Sequence, residues 1–402
     1  MARARFAKSF TQQPPIPQEG IEAAVAVMRS GRLHRYNAPP GEVGETMALE
    51  REFALWQGAA FCLAVASGGQ AMQIALRAAG VAPGAPVLTN AFTLAPVPGA
   101  IAAVGGRPVL VEITADLVID LDDLAAKARD SGARHLLLSH MRGHLCDMER
   151  LTRIAADAGV TVIEDCAHTM GARWNGAPVG AFGLAGCFST QTYKHINSGE
   201  GGLLTSDDAA FMARATILSG SYMLYERHGA GPSPEVYETI RLETPNMSAR
   251  MDNLRAALLR PQLRALARNV AAWNARHDLV AAGLARAATI RLPRRPKAES
   301  YVGSSIQFRL PGITADDARA FIARLAGVGV EVKWFGEAAP VAFTSSHRSW
   351  RYVAAQSLPT TDAILAGLFD MRLPLTFDLE DCALLADHIV DAVEALDLKE
   401  RA

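Results

Sequence analysis

Between residues 61 and 165, short apolar segments alternate with longer segments that have the hydrophobic period of a helix. The apolar runs predict buried strands at 61–66, 86–89, 108–112, 135–139 and 161–164. The intervening stretches predict helices, for example at 69–79, 121–129 and 148–158. This alternation is typical of a mostly parallel sheet covered by helices on both faces. Because crossovers between parallel strands are right-handed, we expect the carboxyl ends of the strands to form one ligand-binding edge.

The chain has 402 residues, which is longer than a domain with a single hydrophobic core usually is. This length predicts two domains. We expect a large domain over residues 1–265, including an amino-terminal arm, and a smaller α+β domain over residues 266–402. A long helix that begins near residue 250 would link them. The irregular stretch 219–245 is too long for a passive connection, and loops of this length are usually functional or mobile.

The near-neutral formal charge of −1 gives no indication of a nucleic acid or an anionic membrane as partner. No apolar run reaches the roughly 20 residues that span a bilayer. The basic start lacks the apolar region of a secretory signal. The five cysteines form no CxxC pair and no Cys/His metal spacing. We therefore expect a cytoplasmic protein without a metal site, whose cysteines are small core residues.

The residues with most chemical potential lie between positions 161 and 202. Asp165 follows an apolar run, so it would face the ligand edge and could hold a protonated ring nitrogen. Lys194 lies in a Gly/Ser-rich stretch and could form a Schiff base with a carbonyl cofactor. Ser189 could donate to a phosphate, and His168 could turn toward the same ligand. Each residue alone also fits a structural role, for example a helix-capping aspartate or a solvated lysine.

A second cluster, Ser67-Gly68-Gly69, stands between a predicted strand and a predicted helix. Backbone N–H groups at the amino end of a helix bind phosphate, and glycine allows a close approach. The cluster is neither a Walker motif nor a GxGxxG fingerprint, so NAD and ATP are poorly supported.

Taken together, these segments resemble the DegT/DnrJ/EryC1/StrS aminotransferases, which are fold-type-I enzymes dependent on pyridoxal 5'-phosphate (PLP). The resemblance covers most of the chain and depends chiefly on the segments ASGGQAMQIAL, LSHMRGHLCDM, VIEDCAH and CFSTQTYKHINSGEGG. It implies an α/β fold with a mostly parallel seven-stranded-type sheet and a smaller α+β domain. It also implies an aminotransferase that uses PLP.

The resemblance assigns roles to individual residues. Lys194 would bind PLP covalently and act in catalysis with Asp165, the partner of the pyridine nitrogen. The remaining cofactor contacts would come from the ring neighbour and the phosphate ligands: His168, Ser189, Ser67, Gly68, Gly69 and Asn246. Because Asn246 would reach the phosphate of a neighbouring subunit, the resemblance implies a homodimer with shared active sites.

Three positions depart from the family pattern. Gly69 stands where the family often has threonine, which removes one phosphate-binding hydroxyl. Asn246 is separated from Arg250 by three residues rather than one. Leu94 replaces an aromatic residue that stacks on the cofactor ring in many members, so the second ring face must be covered differently.

The resemblance also indicates the substrates in outline. The amino donor would be glutamate or glutamine, and the acceptor a nucleotide-linked keto sugar or a smaller carbonyl compound. Candidate substrate residues come from polar and aromatic segments, which could equally pack an oligomer: Tyr36, His195, Tyr222 and Trp334, with Arg142 and His144 as further candidates. Two alternatives remain: a PLP-dependent dehydratase or eliminase, and a non-catalytic PLP-binding regulator.

Overall fold

The computed structural model describes residues 3–39, 41–344 and 346–396. The amino-terminal arm and the large domain contain, in chain order, α1 (Gln18–Ser30), α2 (Glu45–Gln57), β1 (Phe61–Val65), α3 (Gly68–Ala78), β2 (Pro86–Asn90), α4 (Pro96–Ala103), β3 (Arg107–Val111), α5 (Leu121–Asp130), β4 (His135–Ser139), α6 (Met148–Ala158), β5 (Thr161–Asp165), β6 (Arg173–Trp174), β7 (Ala177–Pro178), β8 (Ala185–Ser189), β9 (Gly202–Ser206) and α7 (Ala209–Ser219). None of the described helices is both long and apolar enough to cross a membrane.

The 32-residue helix α8 (Asn253–Leu284) runs through the predicted domain boundary. The smaller domain then contains β10 (Glu299–Ser300), β11 (Ser305–Arg309), α9 (Ala315–Gly327), β12 (Lys333–Trp334), α10 (Pro359–Ala366), β13 (Leu368–Arg372) and α11 (Leu379–Glu394). Strands β11, β13 and β12 form an antiparallel sheet in that order. The short strand β10 pairs instead with β6 of the large domain.

Within the described residues, seven strands form the main sheet in the order β1-β9-β8-β5-β4-β2-β3. Only β9 among these strands runs antiparallel to its neighbours. The predicted fold class is therefore confirmed, and the predicted strands of the large domain differ from those observed by at most one residue at either end. Since β2, β4, β5 and β8 are parallel, their carboxyl ends bring Asn90, Ser139, Asp165 and Ser189 to one edge.

Apolar side chains cover both faces of the main sheet. On one face, Phe53 of α2 packs edge-on against Phe188 of β8, with ring centroids 5.1 Å apart. On the other face, Ile74 of α3 and Leu63 of β1 are fully buried in one apolar cluster. Each such side chain contributes roughly 1.5–3 kcal/mol when fully buried. The sheet edge is thus held by a rigid scaffold.

Candidate active site

A cavity of about 690 Å³ lies at the carboxyl edge of the main sheet. It brings together seven residues that the sequence analysis proposed for a cofactor site: Ser67, Gly68, Gly69, Asp165, His168, Ser189 and Lys194. These residues come from four separate segments of the chain. The fold therefore assembles one site from positions up to 127 residues apart in sequence, as the strand pattern predicts.

Lys194 lies in the loop between β8 and β9, and its Nζ atom is 2.8 Å from Nε2 of His168. Burial and the nearby Arg142 lower the pKa of Lys194 from its usual 10.5 to about 7, although Asp165 opposes the shift. Burial and the Lys194 charge also hold the pKa of His168 well below its usual value. At neutral pH the lysine therefore has a substantial neutral fraction, which is the nucleophilic form.

His168 is held from its other side as well. The backbone N–H of Arg142 donates to its Nδ1 atom over 3.4 Å. This long contact favours a neutral imidazole with its proton on Nε2, facing Lys194. The imidazole thus positions the lysine amine without adding a charge to the cavity.

Asp165 ends β5, and two donors hold its carboxylate. Ser139 donates from Oγ to Oδ2 over 2.9 Å, and the backbone N–H of Ala167 donates to Oδ1 over 3.1 Å. Thr93 in turn donates to the Ser139 hydroxyl over 2.8 Å. These hydrogen bonds fix the position of the carboxylate at the cavity wall. Ser139 could have been predicted as a site residue, because it ends the predicted strand at 135–139 and so lies at the same sheet edge as Asp165.

The neighbouring acid, Glu164, serves the scaffold instead. Successive residues of a strand point to opposite faces, so Glu164 turns away from the cavity and is fully buried. Its carboxylate accepts hydrogen bonds from the backbone of residues 180, 182 and 183, and it lies 2.9 Å from Nε2 of His140. Asp165 therefore lines the cavity, whereas Glu164 holds the backbone behind it.

The amino end of α3 forms a polar cradle at the cavity. Ser67 caps the helix by accepting from the backbone N–H of Gln70 over 3.1 Å. A Cβ atom on Gly68 would lie 2.7 Å from the Ser189 Cβ, so only glycine allows this approach. Gly202 of β9 is required for a similar reason, since its Cβ would lie 2.4 Å from the Ser67 backbone. Free helix N–H groups and the Ser189 hydroxyl suit a phosphate.

The cavity also contains residues that the sequence analysis did not assign. Met72, Val97 and Met141 give it apolar walls together with Leu94, the residue that departs from the family's aromatic position. The predicted candidate Arg142 lines the cavity together with the unpredicted Arg372 from β13 and the unpredicted Phe343. A larger unassigned set completes the lining, and it includes Gln191, Tyr193, Glu200, Glu331 and Lys333.

Other candidate substrate residues lie outside this cavity in the described part of one protomer. The Tyr36 hydroxyl is 2.8 Å from Nε2 of His228, and both side chains are buried. His195 lies 3.1 Å from the Ser304 hydroxyl, and Trp334 donates its indole N–H to the carbonyl of residue 366 over 2.8 Å. His144, likewise buried, lies 2.8 Å from the Gln307 amide oxygen.

Asn246 and Tyr222 are exposed, and both lie in the segment between α7 and α8. Asn246 accepts from the backbone N–H of Ser248 over 2.9 Å. Tyr222 is 61 % exposed and has a positive φ of 51°, and the Arg250 guanidinium lies 4.9 Å from its ring centroid. Neither residue lines the cavity of its own protomer among the residues described.

The donor set fits PLP, a planar aldehyde with a phosphate and a ring nitrogen. Lys194 offers an amine for its carbonyl, the Gly68 cradle offers donors for its phosphate, and Asp165 offers a carboxylate for its ring nitrogen. The three groups line one cavity on a mostly parallel sheet with a smaller carboxy-terminal domain. The fold and site thus define the class of fold-type-I PLP-dependent enzymes.

Comparison with known proteins narrows this class. Residues 16–394 match the model of the DegT/DnrJ/EryC1/StrS aminotransferase family. The chain is 30 % identical to 3-amino-5-hydroxybenzoate synthase of Amycolatopsis mediterranei (strain S699) over 375 residues, which cover 90 % of this chain and 91 % of the relative. It is 32 % identical to the L-glutamine:scyllo-inosose aminotransferase of Streptomyces griseus over 322 residues, which cover 79 % and 72 % of the two chains.

The crystal structure of a 3-amino-5-hydroxybenzoic acid synthase superposes with a TM-score of 0.80 at 27 % identity, covering 98 % of this chain and all of that one. The protein belongs to the DegT/DnrJ/EryC1/StrS aminotransferase family. It is a PLP-dependent aminotransferase that moves an amino group from an amino acid donor to a keto acceptor.

Proposed function

We propose that the protein transfers the amino group of glutamate or glutamine to a ring ketone, either a carbocycle or a keto sugar, with PLP held covalently by Lys194. The observation that carries the role of Lys194 is its contact with His168 in the cavity that also contains Asp165 and the Gly68 cradle. Glutamine as donor is supported by the name of the Streptomyces griseus relative, an L-glutamine:scyllo-inosose aminotransferase.

When bound, PLP supplies an electron sink for the carbon from which a proton is removed. Lys194 is the group placed to move that proton. Its pKa of about 7 lets Nζ take a proton from the donor α-carbon near neutral pH. In the second half-reaction the same atom returns a proton to the acceptor carbon. His168, kept neutral, orients the amine without competing for the proton.

Asp165 and the α3 cradle would hold the cofactor at opposite ends. The Asp165 carboxylate, fixed by Ser139, would accept a hydrogen bond from the protonated ring nitrogen. The N–H groups at Gly68 and Gly69 and the Ser189 hydroxyl would bind the phosphate. The apolar walls at Leu94 and Val97 would exclude water from the reacting carbon.

We further propose that two copies assemble with their active sites at the interface. Tyr222 and Asn246 are exposed and lie outside the cavity of their own protomer, so they are free to complete the site of a partner subunit. The five cysteines are buried and form no disulfide, which suits the reducing cytoplasm that we propose as location.

The test is an absorbance spectrum of the purified protein before and after addition of L-glutamate or L-glutamine. We expect a visible band from lysine-bound PLP that converts to the pyridoxamine 5'-phosphate form with at least one donor. Lys194→Ala should lack the band. A band that ignores every amino donor would contradict amino transfer and favour another PLP reaction, and no band after PLP addition would refute the assignment of the site.

A further inference from the structure

Two arginines stand beside Lys194, and each is tied to it through an adjoining residue. The backbone of Arg142 contacts His168, which contacts the lysine amine. The guanidinium of Arg372 lies 3.9 Å from the ring centroid of Tyr193, the residue just before Lys194. Both arginines therefore line the cavity that contains Lys194.

The two guanidinium groups share one apolar neighbour. The Arg142 and Arg372 Cζ atoms lie 4.7 and 5.2 Å from the Phe343 ring centroid. Cation–π contacts of this kind hold guanidinium groups in place while leaving their N–H groups free to bind an anion.

The two arginines differ in their ion pairing. Arg142 is 8 % exposed and forms an ion pair with the fully buried Asp370, with Nη2 and Oδ2 2.9 Å apart. That contact lacks hydrogen-bond alignment, so Nε and Nη2 of Arg142 have no hydrogen-bond partner in the described residues. Arg372 forms no ion pair with any residue that the structure describes. Asp370 thus pairs with Arg142 and leaves Arg372 without an ion pair among the described residues.

Asp370 cannot serve both arginines, because a second contact fixes it. The Gln307 amide donates to Asp370 Oδ1 over 2.7 Å, and the Gln307 carbonyl lies 2.8 Å from Nε2 of His144. This buried chain of hydrogen bonds orients Asp370 toward Arg142 alone. Arg142 and Arg372 nevertheless both line the cavity that contains Lys194, and Arg372 does so without an ion-pair partner among the described residues.

We propose that Arg142 and Arg372 form a carboxylate-binding site, and that the acceptor is a carbonyl compound bearing a carboxylate rather than a neutral or nucleotide-linked sugar. A planar carboxylate matches the guanidinium fork. The apolar wall of Leu94, Met141 and Phe343 suits a carbocyclic or aromatic-like body beside it. The α-carboxylate of the amino donor has the same chemistry and would use the same two arginines in the other half-reaction. This inference rests on the proposed function.

The test is calorimetric titration of the protein loaded with pyridoxamine 5'-phosphate, using benzoate, benzamide and UDP as probes. We expect benzoate to bind at least tenfold more tightly than benzamide, because benzamide lacks the charge. In Arg372→Gln, benzoate should bind about 10- to 100-fold more weakly and lose this preference. Arg372→Lys should retain part of it. The matched control is Arg286→Gln, an exposed arginine paired with Asp387, which should behave as the unaltered protein.

A second arm separates the two sources of carboxylate. The rate of cofactor conversion is compared for L-glutamine and its α-carboxamide analogue. If Arg372→Gln loses the preference for benzoate over benzamide and also the preference for L-glutamine over its analogue, donor and acceptor share the site. If it loses only the preference for benzoate, the site belongs to the acceptor. Both results support the proposal. Equal binding of benzoate and benzamide by the unaltered protein would overturn it, as would UDP binding that is tighter than benzoate and depends on Arg372.

The proposal stays testable if Arg372→Gln fails to fold, because Arg142→Lys changes the other half of the site and should weaken benzoate in the same direction. Failure of the proposed function would be recognised separately. In that case the unaltered protein would show no donor-dependent conversion of its cofactor. Conversion by a donor combined with equal binding of benzoate and benzamide would refute the carboxylate site alone.

Discussion

Replacing Lys194 with methionine should stabilise the cofactor-free protein at neutral pH, although it removes the proposed catalytic amine. Burial lowers the pKa of this lysine from 10.5 to about 7, so the folded site disfavours the charged form. Each pKa unit corresponds to about 1.4 kcal/mol. Burying Lys194 therefore lowers the free energy of unfolding by about 4 kcal/mol at pH 7. The variant removes this penalty but also loses the hydrogen bond to His168, which stabilises the folded protein by about 1 kcal/mol.

The pH dependence distinguishes this explanation from simple repacking. Below pH 7 the lysine is protonated in both states, and the folded state carries the full penalty. As the pH rises from about 7 toward 10.5, the unfolded chain binds more protons than the folded one, so the penalty shrinks. The stabilisation by Lys194→Met should therefore fall from about 3 kcal/mol at pH 7 to about 1 kcal/mol at pH 9.

The assay is urea unfolding of both cofactor-free proteins at pH 7 and pH 9, with the midpoint and the slope compared. Lys297→Met, at an exposed lysine, is the control and should leave the midpoint unchanged. A Lys194→Met midpoint that is no higher than that of the unaltered protein at pH 7 would refute the reasoning. So would a gain that does not depend on pH.

Three further outcomes follow from the geometry. Gly68→Ala should weaken PLP binding by at least tenfold in a fluorescence titration, because its Cβ would lie 2.7 Å from the Ser189 Cβ, whereas Gly69→Ala, with Ser67 Oγ nearest at 3.7 Å, should bind nearly normally; equal losses would contradict the close-approach argument. Glu50 forms a fully buried ion pair with Arg35, with Oε2 and Nη2 2.9 Å apart. Glu50→Gln should lower the free energy of unfolding by about 3–5 kcal/mol, because it leaves the Arg35 charge buried without a partner, and a loss below 1 kcal/mol would count against this. The rate of the donor half-reaction should rise with pH through about 7 and then level off, as the lysine amine loses its proton, and a rate that falls over that range would argue against this base.

Much of the large domain could be predicted from sequence because its strands are short, apolar and buried on both faces. The runs at 135–139 and 161–164 stand out for that reason, and they place Ser139 and Asp165 at the edge where the cavity lies. Lys194 was identifiable from its glycine- and serine-rich setting together with the family resemblance. The sequence therefore predicts the part of the site nearest the sheet.

The part of the cavity that Arg372 and Phe343 line could not be predicted. Strand β13 is five residues long and carries Asp370 and Arg372, so it shows no apolar run and gave no strand signal. Phe343 lies in a loop whose approach to Arg142 depends on how the smaller domain packs against the larger one. Trp334 and His195 looked suited to bind a substrate, yet each is engaged in a buried contact of its own. Whether each of these residues lines the cavity depends on contacts between segments that are far apart in the sequence, and local sequence patterns do not show such contacts.

The most direct test of the central claim is to reduce the PLP-loaded protein with borohydride, digest it and locate the modified residue by mass spectrometry. Reduction makes the bond between PLP and a lysine permanent. We expect a phosphopyridoxyl group on Lys194 and on no other lysine, and we expect the label to be lost when an active amino donor is added before reduction. A label on a different lysine, or no label on a protein that binds PLP, would contradict the account.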